Sequence, residues 1–180
     1  MTQDTRITPG NRARETLARW ADRSALGQRV AYWIGKTAGG AQLRLKFKGE
    51  QPVPWTPLKK PLAEATVALV TTGGVHLCTD QSLHLSSDAS FRAIPRAATS
   101  DALCISHDHY DRRDAARDIN LVFPLERLLE LEQEGVIGHT ADVHYGFGFV
   151  KDPLELIAPG REVGALLARA GVDLALLVPA

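Results

Sequence analysis

Apolar positions change their rhythm along this chain of 180 residues. Between residues 11 and 36, Leu17, Trp20, Ala21, Leu26, Val30 and Trp33 recur at helical intervals, which predicts one or two amphipathic helices. The glycines of "TAGGAQ" break that pattern. "LRLKFKG" then alternates apolar with basic residues, as a half-exposed strand does. Four prolines in "QPVPWTPLKKP" exclude a helix interior or a central ladder, so residues 51–61 read as an extended loop.

Beyond this loop, strands and helices alternate. "ATVALVTTGGVHL" reads as an apolar strand running into Gly73-Gly74, a turn where backbones can approach closely. "SDASFRAIP" is a loop or short strand, and "DALCIS" is a second apolar strand. "PLERLLELEQEG" is a helix with Pro124 near its first position and Gly135 as its stop. "IGHTADVHYGFGFV" looks extended and glycine-broken, "GREVGALLARAG" is another helix, and "VDLALLVPA" is a buried strand. The alternation predicts an α/β fold, Rossmann-like, with a mixed or mainly parallel sheet and flanking helices. An N-terminal helical segment and the Pro-rich loop occupy residues 1–60, and the α/β domain, incomplete at its C-terminus, occupies residues 61–180.

Composition narrows the function classes. Lysine plus arginine and aspartate plus glutamate both number 21, so no net field draws the chain to nucleic acid or to an anionic membrane. No apolar run reaches the roughly 18 residues of a membrane span. The first residues lack the apolar core of a signal peptide. Cys78 and Cys104 make no disulfide framework and fit a reducing compartment. A cytoplasmic protein is expected, with Cys104 packed in its strand and Cys78 the more exposed thiol.

The densest chemistry lies in "SHDHYDRRDAARDIN", residues 106–120, with two histidines, a tyrosine and four aspartates. His107, His109 and Asp111 match the opening of a zinc-hydrolase loop, His-x-His-x-Asp. The position where such a loop carries its next histidine holds Arg112, a cation, and neither His139 nor His144 sits in a convincing ligand motif. A solvated Asp/Arg loop is the plain alternative. Two histidines and a tyrosine delivered by a strand's C-terminal end point instead to a polar site, because ligands of open α/β sheets collect there. A polar substrate or proton-transfer site without metal is the expectation; a zinc-dependent hydrolase is the third reading.

"VALVTTGGVHL", "SFRAIP", "SHDHYDRRDAARDINLVFPLERLLEL" and "EGVIG", in this order, resemble the selenoprotein B family of the glycine/betaine/sarcosine/D-proline reductases. Within them, the D-x-N-x-x-F-P-L-x-x-L stretch from Asp118 to Leu128 is far more specific than His-x-His. The family is not one of zinc hydrolases. The resemblance implies a selenol- or thiol-dependent reductase that cleaves a carbon–nitrogen bond of an amine or amino acid with electrons from a thiol donor. It also implies partner subunits, one of which can carry a pyruvoyl group.

In this family the strand resembling "VDLALLVPA" leads into a selenocysteine or cysteine. A selenocysteine just after Ala180, its UGA codon read as a stop, is therefore expected, and the 180 residues alone should be inactive. The rival is a redox-silent binding or scaffolding subunit. On the resemblance, His107 is the first candidate for proton transfer. His109 and Tyr110 are candidates for holding a substrate carboxylate or polarising its nitrogen. Asp111 and Asp118 would orient a histidine or pair with an ammonium group. Asn120 lines the substrate or braces the turn into the Pro124 helix, His76 lines the crevice or caps, and Arg92 binds a carboxylate or forms a local ion pair. His84, His139 and His144 read as surface or packing residues.

Overall fold

In a computed structural model, the chain divides into two units, Met1–Trp55 and Thr56–Ala180. The structure describes residues 56–180; the helices expected over 11–36 and the strand "LRLKFKG" lie outside the described residues. Nine elements follow: β1 (Thr66–Thr71), β2 (Val75–Leu77), β3 (Phe91–Pro95), β4 (Leu103–Ile105), α1 (Leu125–Gln133), β5 (His139–Thr140), β6 (Val143–Phe147), α2 (Ile157–Arg169) and β7 (Leu174–Val178).

β1 is the centre of the main sheet. It pairs in parallel with β7 on one side and with β5 and β6 on the other. β5 and β6 form one irregular strand interrupted at Ala141–Asp142. β3 joins antiparallel to β6 at the far edge, so the sheet is mixed. Alternation along β1 explains the two helices. Val67 and Leu69 pack with Leu125 and Leu128 of α1, while Val70 packs with Val163, Leu166 and Leu167 of α2. Odd and even positions of a strand face opposite ways, so α1 and α2 cover opposite faces of the sheet.

α1 buries Leu125 and Leu128 one turn apart. Gly135, at φ 72°, ends the helix with the amides of Gly135 and Val136 donating to the carbonyls of Glu132 and Leu131. Glu132, one turn beyond Leu128, ties α1 to the sheet. Its carboxylate accepts both contacts from Arg96 Nη2 at 3.0 Å, the Thr140 amide at 2.9 Å and His139 Nδ1 at 3.0 Å. Phe123, fully buried just before α1, anchors the same core. Burial of one such ring stabilises by about 2–3 kcal/mol.

Four readings of the pattern need revision. "ATVALVTTGGVHL" is two strands, because Gly73-Gly74 turns the chain out of the main sheet into β2. "DALCIS" contributes β4 to a separate two-stranded antiparallel ribbon with β2 rather than to the main sheet. The cysteines are not free thiols: Cys78 and Cys104 form a disulfide across that ribbon. β7 is not buried; Leu177 is 69% exposed, and Leu174 and Leu176 are exposed as well. An apolar run is what a strand buried on both faces looks like, but burial requires neighbours. Among the described residues β7 has only β1 beside it. No helix of the described residues is long and apolar enough to cross a membrane.

His144 on β6 is fully buried. Its Nδ1 accepts the Leu69 amide at 2.9 Å, so the ring is neutral with its proton on Nε2, which finds no partner. Burial, helped by the charge of Arg96, lowers its pKa from 6.5 to about 4. The unfolded chain therefore binds a proton between those values that the folded chain refuses, and stability falls as pH drops through that window. We expect unfolding free energy to decline by roughly 2 kcal/mol from this residue between pH 7 and 5. The same urea titrations on His144→Asn, which keeps an acceptor for Leu69 but cannot titrate, should show a shallower slope. An unchanged slope would refute the assignment.

Candidate functional site

The parallel strands β1, β6 and β7 all end at one edge of the sheet, and the segment 106–110 closes over that edge. Thr71, the last residue of β1, is fully buried. Its hydroxyl donates to the Val122 carbonyl at 2.8 Å and accepts the Gly73 amide at 2.9 Å. Gly74, at φ 73°, donates to the Phe147 carbonyl at 2.9 Å and accepts the Ser106 amide at 2.8 Å. A Cβ on Gly74 would collide with the Ser106 carbonyl and with His107 Cβ. Glycine is needed there for both conformation and space. β7 reaches the same place: the Thr72 amide donates to Val178, and the Ala180 amide donates to Thr72 Oγ1 at 3.2 Å.

This junction holds the histidine segment in place. The Tyr110 hydroxyl donates to the Gly73 carbonyl at 3.0 Å, and its ring lies 4.7 Å from that of His107. His107 is buried, 4% exposed. Its Nδ1 accepts the His109 amide at 3.2 Å, which leaves the ring proton on Nε2. Burial holds its pKa below the usual histidine value, reinforced by His109 and Arg112 and opposed by Asp108. His107 is therefore a neutral imidazole near pH 7, with one N–H to give. Burial pushes the Tyr110 phenol above its usual value against the pull of Arg112, so it too remains a donor. His109 is exposed on one side and stacks on Phe149, ring centroids 3.4 Å apart.

His76 sits beside this group. It is buried on β2, with Nδ1 2.7 Å from the Leu77 carbonyl and Nε2 2.8 Å from Ser106 Oγ. A carbonyl can only accept, so Nδ1 carries the proton and Ser106 donates to Nε2. His76 thus braces the residue that precedes His107.

The remaining expected residues make their contacts elsewhere. Asp111 is exposed and clasped by Arg113, with Nε 2.9 and 3.0 Å from its two oxygens. The Arg113 hydrogen bonds lower its pKa to about 2. Asp118 caps the 3-10 turn Ile119–Leu121 by accepting the Asn120 amide at 3.0 Å. The Asn120 side chain bridges Asp118 to Glu126 of α1, the bracing alternative for that residue. Arg92 on β3 donates to the carbonyls of Gln81 and Phe91 and to Ser90 Oγ. His139 binds Glu132 and His144 is core; His84 is exposed.

The zinc spacing does not converge into a ligand set. His107 and His109 present their rings at 5.8 Å and nearly perpendicular, Asp111 is held by Arg113, and Arg112 pairs with Asp108 at 3.0 Å. Among the described residues, no three His, Cys, Asp or Glu side chains are grouped as a metal site would need. An open concavity of about 850 Å³ flanks the segment on its other side, lined by Leu103, Tyr110, Arg112, Arg113, Arg117 and Ile119 among others.

Phe149, Thr71, Thr72 and Ser106 belong to the site and were not singled out from the sequence. "TTGG" after an apolar strand carries a usable signal, hydroxyls plus glycines at a strand's carboxyl end. Nothing in "GFGFV" predicts the stacking of Phe149 on His109.

Comparison with known proteins places the chain. The family model for glycine/sarcosine/betaine reductase selenoprotein B matches residues 20–179. The D-proline reductase subunit gamma of Acetoanaerobium sticklandii is 40% identical over 142 residues, covering 77% of this chain and 58% of that protein. The glycine reductase complex component B subunit gamma of Carboxydothermus hydrogenoformans is 34% identical over 131 residues, covering 69% and 30%. The sarcosine reductase complex component B subunit beta of Peptoclostridium acidaminophilum is 34% identical over 108 residues, covering 54% and 25%. The chain thus spans little more than half of the first relative and under a third of the others. No solved structure matches it significantly.

If burial by Tyr110 is what depresses His107, the two can be separated. Tyr110→Phe should keep the low His107 pKa and lose about 1 kcal/mol with the bond to Gly73. Tyr110→Ala should let the His107 pKa rise toward 6.5, read by NMR titration of the ring. A His107 pKa that does not move in Tyr110→Ala would refute this cause.

Proposed function

This chain belongs to the glycine/sarcosine/betaine reductase selenoprotein B family, and from that premise we propose that it is part of a selenol- or thiol-dependent reductase complex. The reaction we propose is reductive cleavage of a carbon–nitrogen bond in a small amine or amino acid. Electrons come from a thiol donor, and partner subunits assist, one of them carrying a pyruvoyl group. The relatives are named as subunits or components of such reductases, which supports the partner subunits.

One observation carries the reading. β7 delivers Ala180 to the carboxyl edge of the sheet, where its amide is held by Thr72 Oγ1. A Cβ built on Gly73 would lie 3.6 Å from Ala180 Cβ, and Gly73 is the residue whose carbonyl holds Tyr110. A selenocysteine or cysteine following Ala180 would emerge beside Gly73 and the His107–Tyr110 pair. A selenol or thiol in that place supplies a soft nucleophile at neutral pH.

This chain's own groups then have definite tasks. His107 presents Nε2–H as a hydrogen-bond donor to charge that develops on the substrate, while the proton for the leaving nitrogen comes from solvent or the donor thiol. Tyr110 gives its hydroxyl proton to the Gly73 carbonyl and keeps its ring 4.7 Å from that of His107, so it positions the imidazole. His109, stacked on Phe149, offers its ring edge to a carboxylate. The exposed apolar β7 supports the same reading, because a sheet that continues past it would cover Leu174, Leu176 and Leu177.

The test uses protein isolated from its source cells grown with selenium. We expect a mass above 19.6 kDa with a selenium isotope pattern. Amine-dependent turnover with a dithiol and the co-purifying subunits should fall at least about 100-fold in His107→Gln. A selenium-free mass equal to that of 180 residues, with no turnover, would leave a redox-silent binding subunit as the correct account.

A further inference from the structure

The Cys78–Cys104 bridge belongs to no part of the mechanism above, and its surroundings are unlike those of a purely structural staple. In the β2–β4 ribbon His76 stands directly opposite Cys104. Strand positions two apart share a face, so His76, Cys78, Cys104 and Ser106 lie together on one face of the ribbon. The two sulfurs differ in access. Cys78 is exposed, just past the end of β2, whereas Cys104 is half-buried within β4. Thiol–disulfide exchange is decided by which sulfur can be reached, so an incoming thiolate meets Cys78 and the half-buried Cys104 is the leaving group.

The bridge also sits at one end of a ladder whose other end is the site. Beyond the three strand pairs, the Cys78 amide donates to Ala102 at 2.9 Å at the bridge end and the Ser106 amide donates to Gly74 at 2.8 Å at the site end. The cysteines are 26 residues apart in sequence. Breaking the bond frees a long loop and leaves a short ladder to hold Ser106 and His107 against Gly74.

We propose that Cys78–Cys104 is an exchangeable dithiol–disulfide couple for external dithiols, and that its state governs how tightly the Gly74–Ser106 junction is held. A dithiol's first thiolate attacks Cys78 Sγ, forming a mixed disulfide and expelling Cys104 as thiolate. The donor's second thiolate then closes on its own bound sulfur and expels Cys78. The donor is oxidised to its cyclic disulfide, and two electrons and two protons reach the protein thiols. The proposal stands on the ribbon alone and does not depend on the reductase reading.

Within residues 1–180 Cys78 and Cys104 are the two cysteines, so the labelled peptides that carry them report their thiols separately from any others. The full chain is equilibrated across a series of glutathione and dithiothreitol buffers, quenched with a maleimide, digested and weighed. Both thiols should appear together as one two-electron transition while the protein stays folded. Amide hydrogen exchange at Ser106 should quicken in the reduced form. Oxidised glutathione should modify Cys78 in Cys104→Ser at least about tenfold faster than it modifies Cys104 in Cys78→Ser. The proposal is overturned by a bridge that yields to excess dithiothreitol only in denaturant, or by thiols that stay reduced at every ratio. Equal glutathionylation of the two variants, or unchanged exchange at Ser106, would overturn it equally.

Discussion

The contact between Gly74 and Ser106 is the constraint on which the rest of the site depends. At that point the chain leaves the central strand of the main sheet, and the backbone of the β2–β4 ribbon comes too close for any Cβ. Gly74 is bonded on one side to Phe147 of β6 and on the other to Ser106. It therefore welds the sheet to the ribbon, and the residues after Ser106 inherit their position from it. His107 and Tyr110 reach the carboxyl edge of the parallel strands although β4 is no part of that sheet.

Depth of burial sets the chemistry of the histidines. His144 and His76 use a ring nitrogen to satisfy or be satisfied by backbone, and both belong to packing. His107 is buried but lies in the loop over the strand ends, with Nδ1 occupied and a lowered pKa. A neutral ring whose Nδ1 is occupied can donate a hydrogen bond from Nε2 to developing negative charge. Around it, Tyr110 is likewise kept protonated by burial and donates to Gly73, which holds its ring against that of His107. The carboxylates of the same stretch are turned to structural work: Asp118 caps, Asp111 pairs with Arg113, and Asp108 pairs with Arg112.

Two ties within the domain serve different ends. Glu132 gathers Arg96, His139 and the Thr140 amide and fixes α1 to the sheet. The Cys78–Cys104 bridge fixes two short strands that have few hydrogen bonds of their own. The first is an electrostatic knot in which one carboxylate accepts from three partners. The second is a covalent bond whose exposed sulfur can be attacked.

Local pattern was enough to determine much of this. Pro124 near the first position and Gly135 as the stop specified α1. The apolar run from Thr66 to Thr71 specified the central strand, and "TTGG" marked the turn at its end. The stretch from Asp118 to Leu128 carried the family. What tertiary structure alone decided was partnership. An apolar run such as "LALLV" has the same sequence whether it lies inside a sheet or at its edge, because burial comes from neighbours, and among the described residues β7 pairs with one strand. The pairing of Cys78 with Cys104 depends on two strands meeting in register, and the spacing of cysteines does not encode that. Likewise His-x-His-x-Asp reads as a ligand set until the fold turns His109 onto Phe149 and Asp111 onto Arg113. Type and spacing are local properties of a chain; the directions in which its side chains converge are not.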